Sequence, residues 1–421
     1  MRSPLLSSQA HRVVVTGMGA VTDLGLSADL LWDGLANGRS GVGPITAFEQ
    51  DDQWDARIAG EVSDFDPKVR LDVSERKRMD RNSQMGVYAA IEAAESCGLD
   101  FESGDPTRRG VVIGTGIGGI ITIETDHNKL LAKGPKRISP FCVPKLMANA
   151  CSGNVSIRLG LKGINLVPAT ACASGAHSVA LAAQQIRLGL ADVILAGGTE
   201  AAVSGLCISA FSAMKALSTR NDEPEKASRP FDRDRDGFVL AEGSAILVLE
   251  SLEHAKARGA AILGEVLGYG ISGDAHHIAA PAEDGDGAKR AMLSALEDAG
   301  VNATDVDYIN AHGTSTPLGD ASEVSAVKTV FGDHAYKLVM SSTKSMTGHG
   351  LGAAGGIESV AALNAIRHGV IPPTINLDNP DEGFDLDFAA NTAQERPVKI
   401  ALNNSFGFGG HNVCLVFGPG E

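Results

Sequence analysis

Short, largely apolar runs recur along the whole chain, and each is followed by a stretch with the residue spacing of a helix. The runs cover residues 13–15, 111–113, 192–196, 244–249, 306–310 and 337–340. Because polar residues do not alternate through these strands, helices have to cover both of their faces. The pattern therefore predicts an α/β fold in which the sheets are buried between layers of helices.

One helical pattern occurs twice in the chain. Gly175 opens an alanine-rich stretch that ends in Ile-Arg-Leu-Gly at 186–189, and Gly355 opens another that ends in Ile-Arg-His-Gly at 366–369. Alanine-rich helices resemble one another, so this likeness alone is compatible with coincidence or with duplication. Duplication predicts two related α/β halves, residues 11–255 and 261–421, and a length of 421 residues leaves room for both.

Local signals indicate three further elements. Ser27 is a suitable N-cap for a helix that places leucines on one face. The segment 75–97 has the pattern of one long helix that ends at Gly98. The charged segment 218–235 has two prolines and little periodicity, which predicts a long loop. Such a loop either borders a site or an interface, or is a plain surface excursion.

Composition and charge exclude several classes of protein. A net charge of −15 argues against a nucleic-acid partner, and six cysteines without a CxxC pair indicate reduced thiols. Residues 1–12 have neither the apolar core nor the cleavage site of a signal peptide. No uncharged apolar run reaches the ~18 residues that a membrane span needs. We expect a cytoplasmic protein with no membrane span.

Two glycine-rich segments, 13–19 and 114–119, resemble the start of a dinucleotide-binding fingerprint. Thr22 stands where the first would need its third glycine, and no acidic residue follows the second at the distance that ribose binding requires. The chain also has no Walker A motif, no G-x-S-x-G motif and no His/Cys cluster with metal-ligand spacing. We therefore expect neither a nicotinamide cofactor nor a metal ion.

The sharpest chemical signal is Thr-Ala-Cys-Ala-Ser-Gly at 170–175, in which Cys172 follows a short apolar strand at 164–167. A thiol at the start of a helix has its thiolate stabilised by free N–H groups, and this placement predicts a lowered pKa. The small neighbouring residues leave room for an acyl group. Cys172 is either a nucleophile or a buried structural cysteine, which is the usual state of a cytoplasmic cysteine.

Three more motifs follow in the second half of the chain. Residues 310–320 deliver His312 and three hydroxyl residues to a loop before a helix. Residues 342–352 place Lys344 five positions before His349, at the glycine-rich start of the second repeated helix. Residues 404–412 form a glycine-rich segment with two phenylalanines. Each motif taken alone is a moderate signal, because helix capping or an ordinary glycine-rich turn also accounts for it.

In this order, the four motifs resemble the β-ketoacyl-acyl-carrier-protein synthases of the thiolase-like superfamily, specifically their elongating type I and type II group. The resemblance runs from the strand at Val13 to the last strand near 413–417. It includes Arg-Pro-Phe-Asp at 229–232 and Asp-Gly-Phe at 236–238. It implies a homodimer with a thiolase-like fold, in which two pseudo-duplicated halves form αβαβα layers.

The resemblance also implies roles for individual residues. Cys172 matches the family's nucleophile, His312 and His349 its two catalytic histidines, and Lys344 the lysine that orders the site. His349 stands where initiating synthases carry asparagine. The backbone N–H groups of Cys172 and Phe408 match the family's oxyanion donors, and the Phe408 side chain matches its aromatic gate.

Further positions match the family's substrate contacts. They are Thr314 and Thr316 for the phosphopantetheine arm; Ile117, Phe211 and Leu351 for the acyl pocket; Glu358 as a structural acid; and Arg76, Lys77, Arg78, Arg81 and Lys215 for docking of acidic acyl-carrier protein. Lys215 replaces a common arginine, and His411 replaces a threonine found in many bacterial type II enzymes.

The implied reaction transfers an acyl group to Cys172 and condenses it with malonyl-acyl-carrier protein, which releases carbon dioxide and forms 3-oxoacyl-acyl-carrier protein. The resemblance implies no cofactor beyond the phosphopantetheine that the substrates carry. A polyketide or mycolic-type ketosynthase and a non-catalytic chain-length partner subunit are the alternatives. A degradative thiolase would need a second cysteine at the site.

Overall fold

The computed structural model describes residues 10–282 and 284–420. The expectation that residues 1–12 form no signal peptide therefore falls mostly outside the described residues. The strands are β1 Val13–Val21, β2 Gly43–Pro44, β3 Ile58–Ala59, β4 Arg109–Gly114, β5 Asn165–Leu166, β6 Val193–Glu200, β7 Gly243–Ser251, β8 Gly264–Gly273, β9 Tyr308–Asn310, β10 Val339–Ser341, β11 Val370–Ile371, β12 Gln394–Glu395, β13 Ala401–Gly407 and β14 His411–Gly418.

Helices separate most of these strands, and short 3₁₀ turns precede several of them. The helices are α1 Ala28–Ala36, α2 Val73–Arg78, α3 Arg81–Ser96, α4 Ile120–Lys133, α5 Cys142–Leu146, α6 Ala150–Leu159, α7 Ser174–Arg187, α8 Gly205–Ala213, α9 Leu252–Ala257, α10 Asp286–Ala299, α11 Pro317–Phe331, α12 Lys344–Thr347 and α13 Ala354–His368. None of these helices is both long enough and apolar enough to span a bilayer.

The main sheet has ten strands, and its two ends repeat the same topology. From the outer edge inward, one half runs β5-β4-β6-β7-β1 and the other runs β10-β9-β13-β14-β8. In each half the two outer pairings are parallel and the two inner pairings are antiparallel. Strands β1 and β8 pair with each other and join the halves. This repeated order supports the interpretation of the helical repeat as duplication. The domain limits 11–255 and 261–421 stay a prediction.

Three apolar clusters fill the spaces between the layers of helices and strands, and they confirm the predicted αβαβα arrangement. Helix α3 packs on one face of the first half, and helix α10 packs on one face of the second. Helices α7 and α13 pack on each other and on strands of both halves, which places them in the middle layer. Neighbouring side chains of β6 enter different clusters, so both of its faces are buried as predicted.

Each of the six apolar runs overlaps a strand, but three of them begin one or two residues before it. Two long strands, β8 and β13, were not predicted. Strand β8 contains Gly264, Gly268, Gly270 and Gly273, which weaken its apolar pattern. A Cβ at Gly270 would lie 2.0 Å from the backbone oxygen of Ala291 in α10. The glycines therefore allow α10 to lie directly on the strand, and they also conceal the strand in the sequence.

The prediction of one helix over 75–97 is wrong, because the chain breaks at Met79 and Asp80 and forms α2 and α3 instead. The Asp80 side chain accepts a hydrogen bond from the backbone N–H of Asn82 and caps α3. Its other carboxylate oxygen accepts from the backbone of Thr122 at 2.8 Å. This tertiary contact holds Asp80 in an extended conformation that ends α2. Ser27 caps α1 as predicted.

Glycine at the start of each repeated helix allows the two helices of the middle layer to touch. A Cβ at Gly355 would lie 2.4 Å from the backbone nitrogen of Ala176. A Cβ at Gly175 would lie 2.8 Å from the backbone oxygen of Gly352. The N-termini of α7 and α13 therefore meet in the centre of the molecule.

We predict that Gly355→Ala lowers the free energy of unfolding by about 1–3 kcal/mol, because its methyl group would overpack against Ala176. Chemical denaturation measures the change. Gly153→Ala in α6 is the control, because its Cβ meets nothing within 4 Å. The control should be neutral or stabilising, as alanine favours helix. Equal effects of the two substitutions would contradict the close helix contact.

Candidate active site

Two turns of the same design place the predicted nucleophile and the second histidine motif side by side. A 3₁₀ turn at Ala171–Ala173 precedes α7, and a second at Leu351–Ala353 precedes α13. Each turn begins with a residue of positive φ, 51° at Ala171 and 45° at Leu351. L-residues rarely adopt this conformation, so the surrounding structure has to hold both turns in place.

Cys172 is 7% exposed and lies on the wall of a cavity of about 520 Å³. The loop between β13 and β14 covers it, and a Cβ at Gly407 would lie 3.2 Å from the backbone nitrogen of Cys172. The backbone N–H of Phe408 interacts with the Cys172 thiol. The structure thus brings together the backbone groups of Cys172 and Phe408 that were predicted to bind an oxyanion.

The expectation of a lowered pKa for Cys172 is wrong for this pocket. Burial raises the pKa of the thiol to about 12, while Lys344 and the backbone N–H of Phe408 act in the opposite direction. The sequence placed the thiol at a helix start but gave no measure of its desolvation. The cysteine is therefore a neutral thiol at rest, and it has to lose its proton as it attacks.

His312 and His349 lie on the same cavity wall as Cys172, although at least 140 residues separate each of them from it in the sequence. Their ring centroids are 5.4 Å apart, with an angle of 86° between the ring planes. Burial lowers the pKa of both imidazoles well below the usual value, and the Lys344 charge lowers both further. Both rings are therefore neutral at physiological pH.

Backbone contacts fix the position of each histidine. The N–H groups of His312 and Gly313 donate to the Glu323 carboxylate at 2.9 and 2.8 Å. The N–H of His349 donates to the carbonyl of Val239 at 2.7 Å, and the Phe238 and His349 rings pack in a T-shaped arrangement with their centroids 5.3 Å apart. The two histidines are thus held from opposite parts of the chain.

Lys344 lies beneath the cavity and does not line it. Its side chain is 2% exposed and forms an ion pair with the predicted structural acid Glu358, on α13. Burial raises the pKa of Glu358 to about 7, and Lys344 acts against this rise. The lysine therefore influences the site through its positive charge, which disfavours protonation of both histidines.

The cavity gathers the other predicted substrate contacts. Its wall includes Ile117, Phe211, Leu351, Thr314, Thr316, Phe408 and Lys215. The hydroxyl oxygens of Thr314 and Thr316 lie 3.0 Å apart. The residues on either side of the 218–235 loop line the cavity, Met214, Lys215 and Ala216 before it and Asp236, Gly237 and Phe238 after it. The loop itself, all of which the structure describes, contributes no residue to the cavity wall. It is therefore attached to the site at both ends, which agrees with a loop that borders the site, one of its two predicted roles.

The predicted docking residues have different environments. Lys77 and Arg78 on α2 are exposed, Arg76 is half-buried, and Lys215 lies at the cavity. Arg81 instead donates to both carboxylate oxygens of the buried Glu242 and to the carbonyl of Val62. Because Arg81 is already paired with Glu242, it differs from the other four predicted docking residues, Arg76, Lys77, Arg78 and Lys215. Their docking role stays a prediction.

Sequence reasoning missed two buried acids that support the cavity, Glu200 and Glu323. Glu323 holds the backbone of His312, and Glu200 accepts hydrogen bonds at the wall beside Ile117. The available signal for Glu200 was a carboxylate at the very end of the apolar strand β6. Several other cavity residues were also missed, because their segment carries no recognisable motif; they are Asp274, His277, Ala279, Ala280, Pro281, Ala282, Gly285 and Ala288.

The chain matches two families over most of its length. The family described as "Beta-ketoacyl synthase, N-terminal domain" matches residues 10–255, and "Beta-ketoacyl synthase, C-terminal domain" matches residues 263–378. Two curated relatives are each named 3-oxoacyl-[acyl-carrier-protein] synthase 2. The protein from Coxiella burnetii is 51% identical over 97% of this chain and 98% of its own. The protein from Synechocystis is 51% identical with the same coverage.

Solved structures have the same fold over 98% of this chain. A β-ketoacyl synthase from Burkholderia phymatum is 36% identical, with a TM-score of 0.90 over 98% of this chain and 100% of its own. A type II polyketide ketosynthase, described as a complex with its acyl-carrier protein, is also 36% identical, with a TM-score of 0.90 and the same coverage. The predicted thiolase-like fold is confirmed.

We predict that the rate of Cys172 alkylation by iodoacetamide rises with pH through about pH 9 without reaching a plateau, since burial raises the pKa of its thiol. Peptide mass spectrometry distinguishes Cys172 from the half-buried Cys142. In denaturant, the same peptide should titrate near about pH 8.5. A plateau below pH 8 in the folded protein would show that the helix N-terminus outweighs burial.

Proposed function

This chain belongs to the β-ketoacyl synthase family, and we infer that it is an acyltransferase of fatty-acid elongation. It condenses an acyl group with malonyl-acyl-carrier protein, releases carbon dioxide and forms 3-oxoacyl-acyl-carrier protein. The observation that carries this inference is the convergence of Cys172, His312 and His349 on one cavity. The identity of 51% to two 3-oxoacyl-[acyl-carrier-protein] synthases agrees with it.

In the first half of the reaction, the sulfur of Cys172 attacks the thioester carbonyl of the acyl donor. A new bond joins sulfur to the acyl carbon, the bond to the pantetheine sulfur breaks, and the thiol proton ends on the departing pantetheine. The backbone N–H groups of Cys172 and Phe408 would hold the oxyanion of the tetrahedral intermediate. Storing the acyl group on the enzyme divides a difficult condensation into two steps.

In the second half, malonyl-acyl-carrier protein occupies the cavity beside the acylated Cys172. Its bond to the terminal carboxylate breaks, carbon dioxide leaves, and the electron pair forms an enolate. Neutral His312 and His349 each have one ring N–H to donate to the thioester oxygen, which stabilises that enolate. The α-carbon of the enolate then attacks the acyl carbon, the bond from that carbon to the Cys172 sulfur breaks, and the departing thiolate takes a proton from water to restore the thiol.

The cavity walls suit the two parts of the substrate differently. Ile117, Phe211 and Leu351 offer apolar surface near Cys172 for the acyl chain. Thr314 and Thr316 offer hydroxyl groups for the polar phosphopantetheine arm. The exposed charges of Lys77 and Arg78 are suited to the acidic surface of acyl-carrier protein.

The proposed partner is acyl-carrier protein, and the proposed location is the cytoplasm. A 36% identical relative is described in complex with its acyl-carrier protein, which supports the same partner for this chain. The six cysteines are all free thiols, in agreement with a reducing cytoplasm. We also propose a homodimer, on the basis of the family resemblance.

The alternative functions have weaker support. The polyketide ketosynthase relative is 36% identical, against 51% for the two 3-oxoacyl-[acyl-carrier-protein] synthases. A chain-length partner subunit would not need the reactive constellation of Cys172 and two histidines. A thiolase would need a second cysteine at the site, but Cys414 is buried in the cluster beside α10 and does not line the cavity.

We predict that Cys172→Ala abolishes acyl transfer and lowers condensation by at least about 1,000-fold, because no sulfur remains to hold the acyl group. Mass spectrometry after incubation with acyl-acyl-carrier protein measures the acyl adduct. The same variant should still decarboxylate malonyl-acyl-carrier protein, since both histidines remain. Condensation at the wild-type rate would disprove the nucleophile assignment.

We predict that this decarboxylation changes little between about pH 8 and pH 6, because the lowered pKa values keep His312 and His349 neutral there. A histidine with the usual pKa near about 6.5 would already be mostly protonated at pH 6. Released carbon dioxide measures the rate.

The lowered pKa values of His312 and His349 also make the folded protein less stable below about pH 6.5, because only the unfolded histidines gain protons there.

We predict that Ile117→Gly widens the range of accepted acyl chains, because it removes a side chain from the apolar wall near Cys172. The rate of Cys172 acylation is measured with donors of graded length. Leu190→Gly, at an exposed position outside both the cavity and the docking helix, is the control and should leave the profile unchanged. An unchanged profile in Ile117→Gly would remove Ile117 from the acyl pocket.

A further inference from the structure

One buried carboxylate binds two separate segments of the cavity wall. Glu200 ends strand β6 and is 0% exposed. Its oxygen Oε1 accepts from the Thr115 hydroxyl at 2.8 Å and from the Ile117 N–H at 3.2 Å. Its oxygen Oε2 accepts from the N–H groups of Gly116 at 2.7 Å and Gly352 at 3.1 Å. Three of the four donors are backbone amides.

This set of donors requires both carboxylate oxygens of Glu200 to act as hydrogen-bond acceptors. Backbone N–H groups cannot turn around to accept, so an amide nitrogen in place of either oxygen would leave at least one of them without a partner. A proton on either oxygen would also lack an acceptor, because the Thr115 hydroxyl already accepts from the Asn82 side chain and from the Gly118 N–H. Burial raises the pKa of Glu200, and the four hydrogen bonds oppose that rise. The chain has thus placed an ionisable group where only its acceptor form fits the surroundings.

The glycines on either side show how closely the two segments approach. A Cβ at Gly116 would lie 2.8 Å from Oε2 of Glu200. A Cβ at Gly352 would lie 2.8 Å from the same oxygen and 2.4 Å from the backbone nitrogen of Gly116. The two turns and the carboxylate are therefore in direct contact, with no space for a side chain between them.

The residues next to these glycines are the walls of the cavity. Ile117 follows Gly116, and Leu351 precedes Gly352. Leu351 has a φ of 45°, which is unfavourable for leucine and has to be maintained by contacts such as the bond from the following N–H to Glu200. The first wall belongs to one half of the fold and the second belongs to the other.

We propose that Glu200 is a positioning residue that fixes the distance between the Ile117 and Leu351 walls and thereby sets the acyl-chain selectivity of Cys172. This inference rests on the proposed function, because it assumes that the cavity receives an acyl chain. Glu200 does not line the cavity. Its negative charge contributes to the raised pKa of the Cys172 thiol, but that effect is common to all acyl donors. Its effect on chain selectivity is transmitted through the two backbone turns that it binds.

Glu323 provides a matched comparison at the other side of the cavity. It is also a buried acid, and it also accepts from two successive backbone N–H groups, those of His312 and Gly313. Glu323 therefore positions His312, which acts in decarboxylation, while Glu200 positions the backbone beside Ile117 and Leu351, which line the acyl pocket. Loss of either carboxylate should affect a different half of the reaction.

The test compares E200Q and E323Q with the wild-type protein in two assays. The first is the rate of Cys172 acylation by acyl-acyl-carrier proteins of graded length. The second is decarboxylation of malonyl-acyl-carrier protein without an acyl donor. In E200Q, discrimination between the best and the poorest acyl donor should fall about tenfold, the effect of one lost charge-assisted hydrogen bond. Its decarboxylation should stay within about twofold of wild type. In E323Q, decarboxylation should fall about tenfold, while discrimination between acyl donors should stay within about twofold of wild type.

E200D is the second variant, in case E200Q does not fold. It keeps the charge but retracts the carboxylate by one methylene, so it cannot reach Gly116 and Gly352 together. The same loss of discrimination is expected. An unchanged length profile in a folded variant, or an equal fall in both assays, would overturn the proposal. Failure of the wild-type protein to acylate Cys172 would instead refute the proposed function.

Discussion

The contact between the two helices of the middle layer is the constraint on which the site depends. Helices α7 and α13 touch at Gly175 and Gly355, where no side chain separates their backbones. Their N-termini consequently meet, and the turns before them carry Cys172 and the motif of His349. Strand β9 and the loop after β13 then supply His312 and Phe408 from the second half. A methyl group at the crossing would move both turns apart.

Burial determines the chemistry of the groups that this contact brings together. The same desolvation keeps both imidazoles neutral and the Cys172 thiol protonated, because each charged form loses its hydration in the cavity. Lys344 adds a buried positive charge, paired with Glu358. That charge opposes protonation of the histidines but favours the thiolate. The neutral histidines can therefore donate to an enolate, and the thiol gives up its proton only during acyl transfer.

Buried carboxylates organise the loops around the reacting groups. Glu323 binds the backbone at His312, and Glu200 binds the backbone beside Ile117 and Gly352. Both lie outside the motifs that identify the family. Their partners are mostly backbone N–H groups, so their function is visible only when the loops are placed around them. The division of the cavity between these two acids matches the two halves of the proposed reaction.

The sequence alone determined the fold class, the repeated helices and the motifs of Cys172, His312, Lys344 and His349, because apolar periodicity and short motifs are local properties. Tertiary structure decided what depends on neighbours distant in sequence. The contact of Asp80 with Thr122 divides the predicted 75–97 helix, and the glycines of β8 conceal a strand that α10 covers. The raised pKa of Cys172 likewise arises from desolvation by the folded cavity, which no local pattern records.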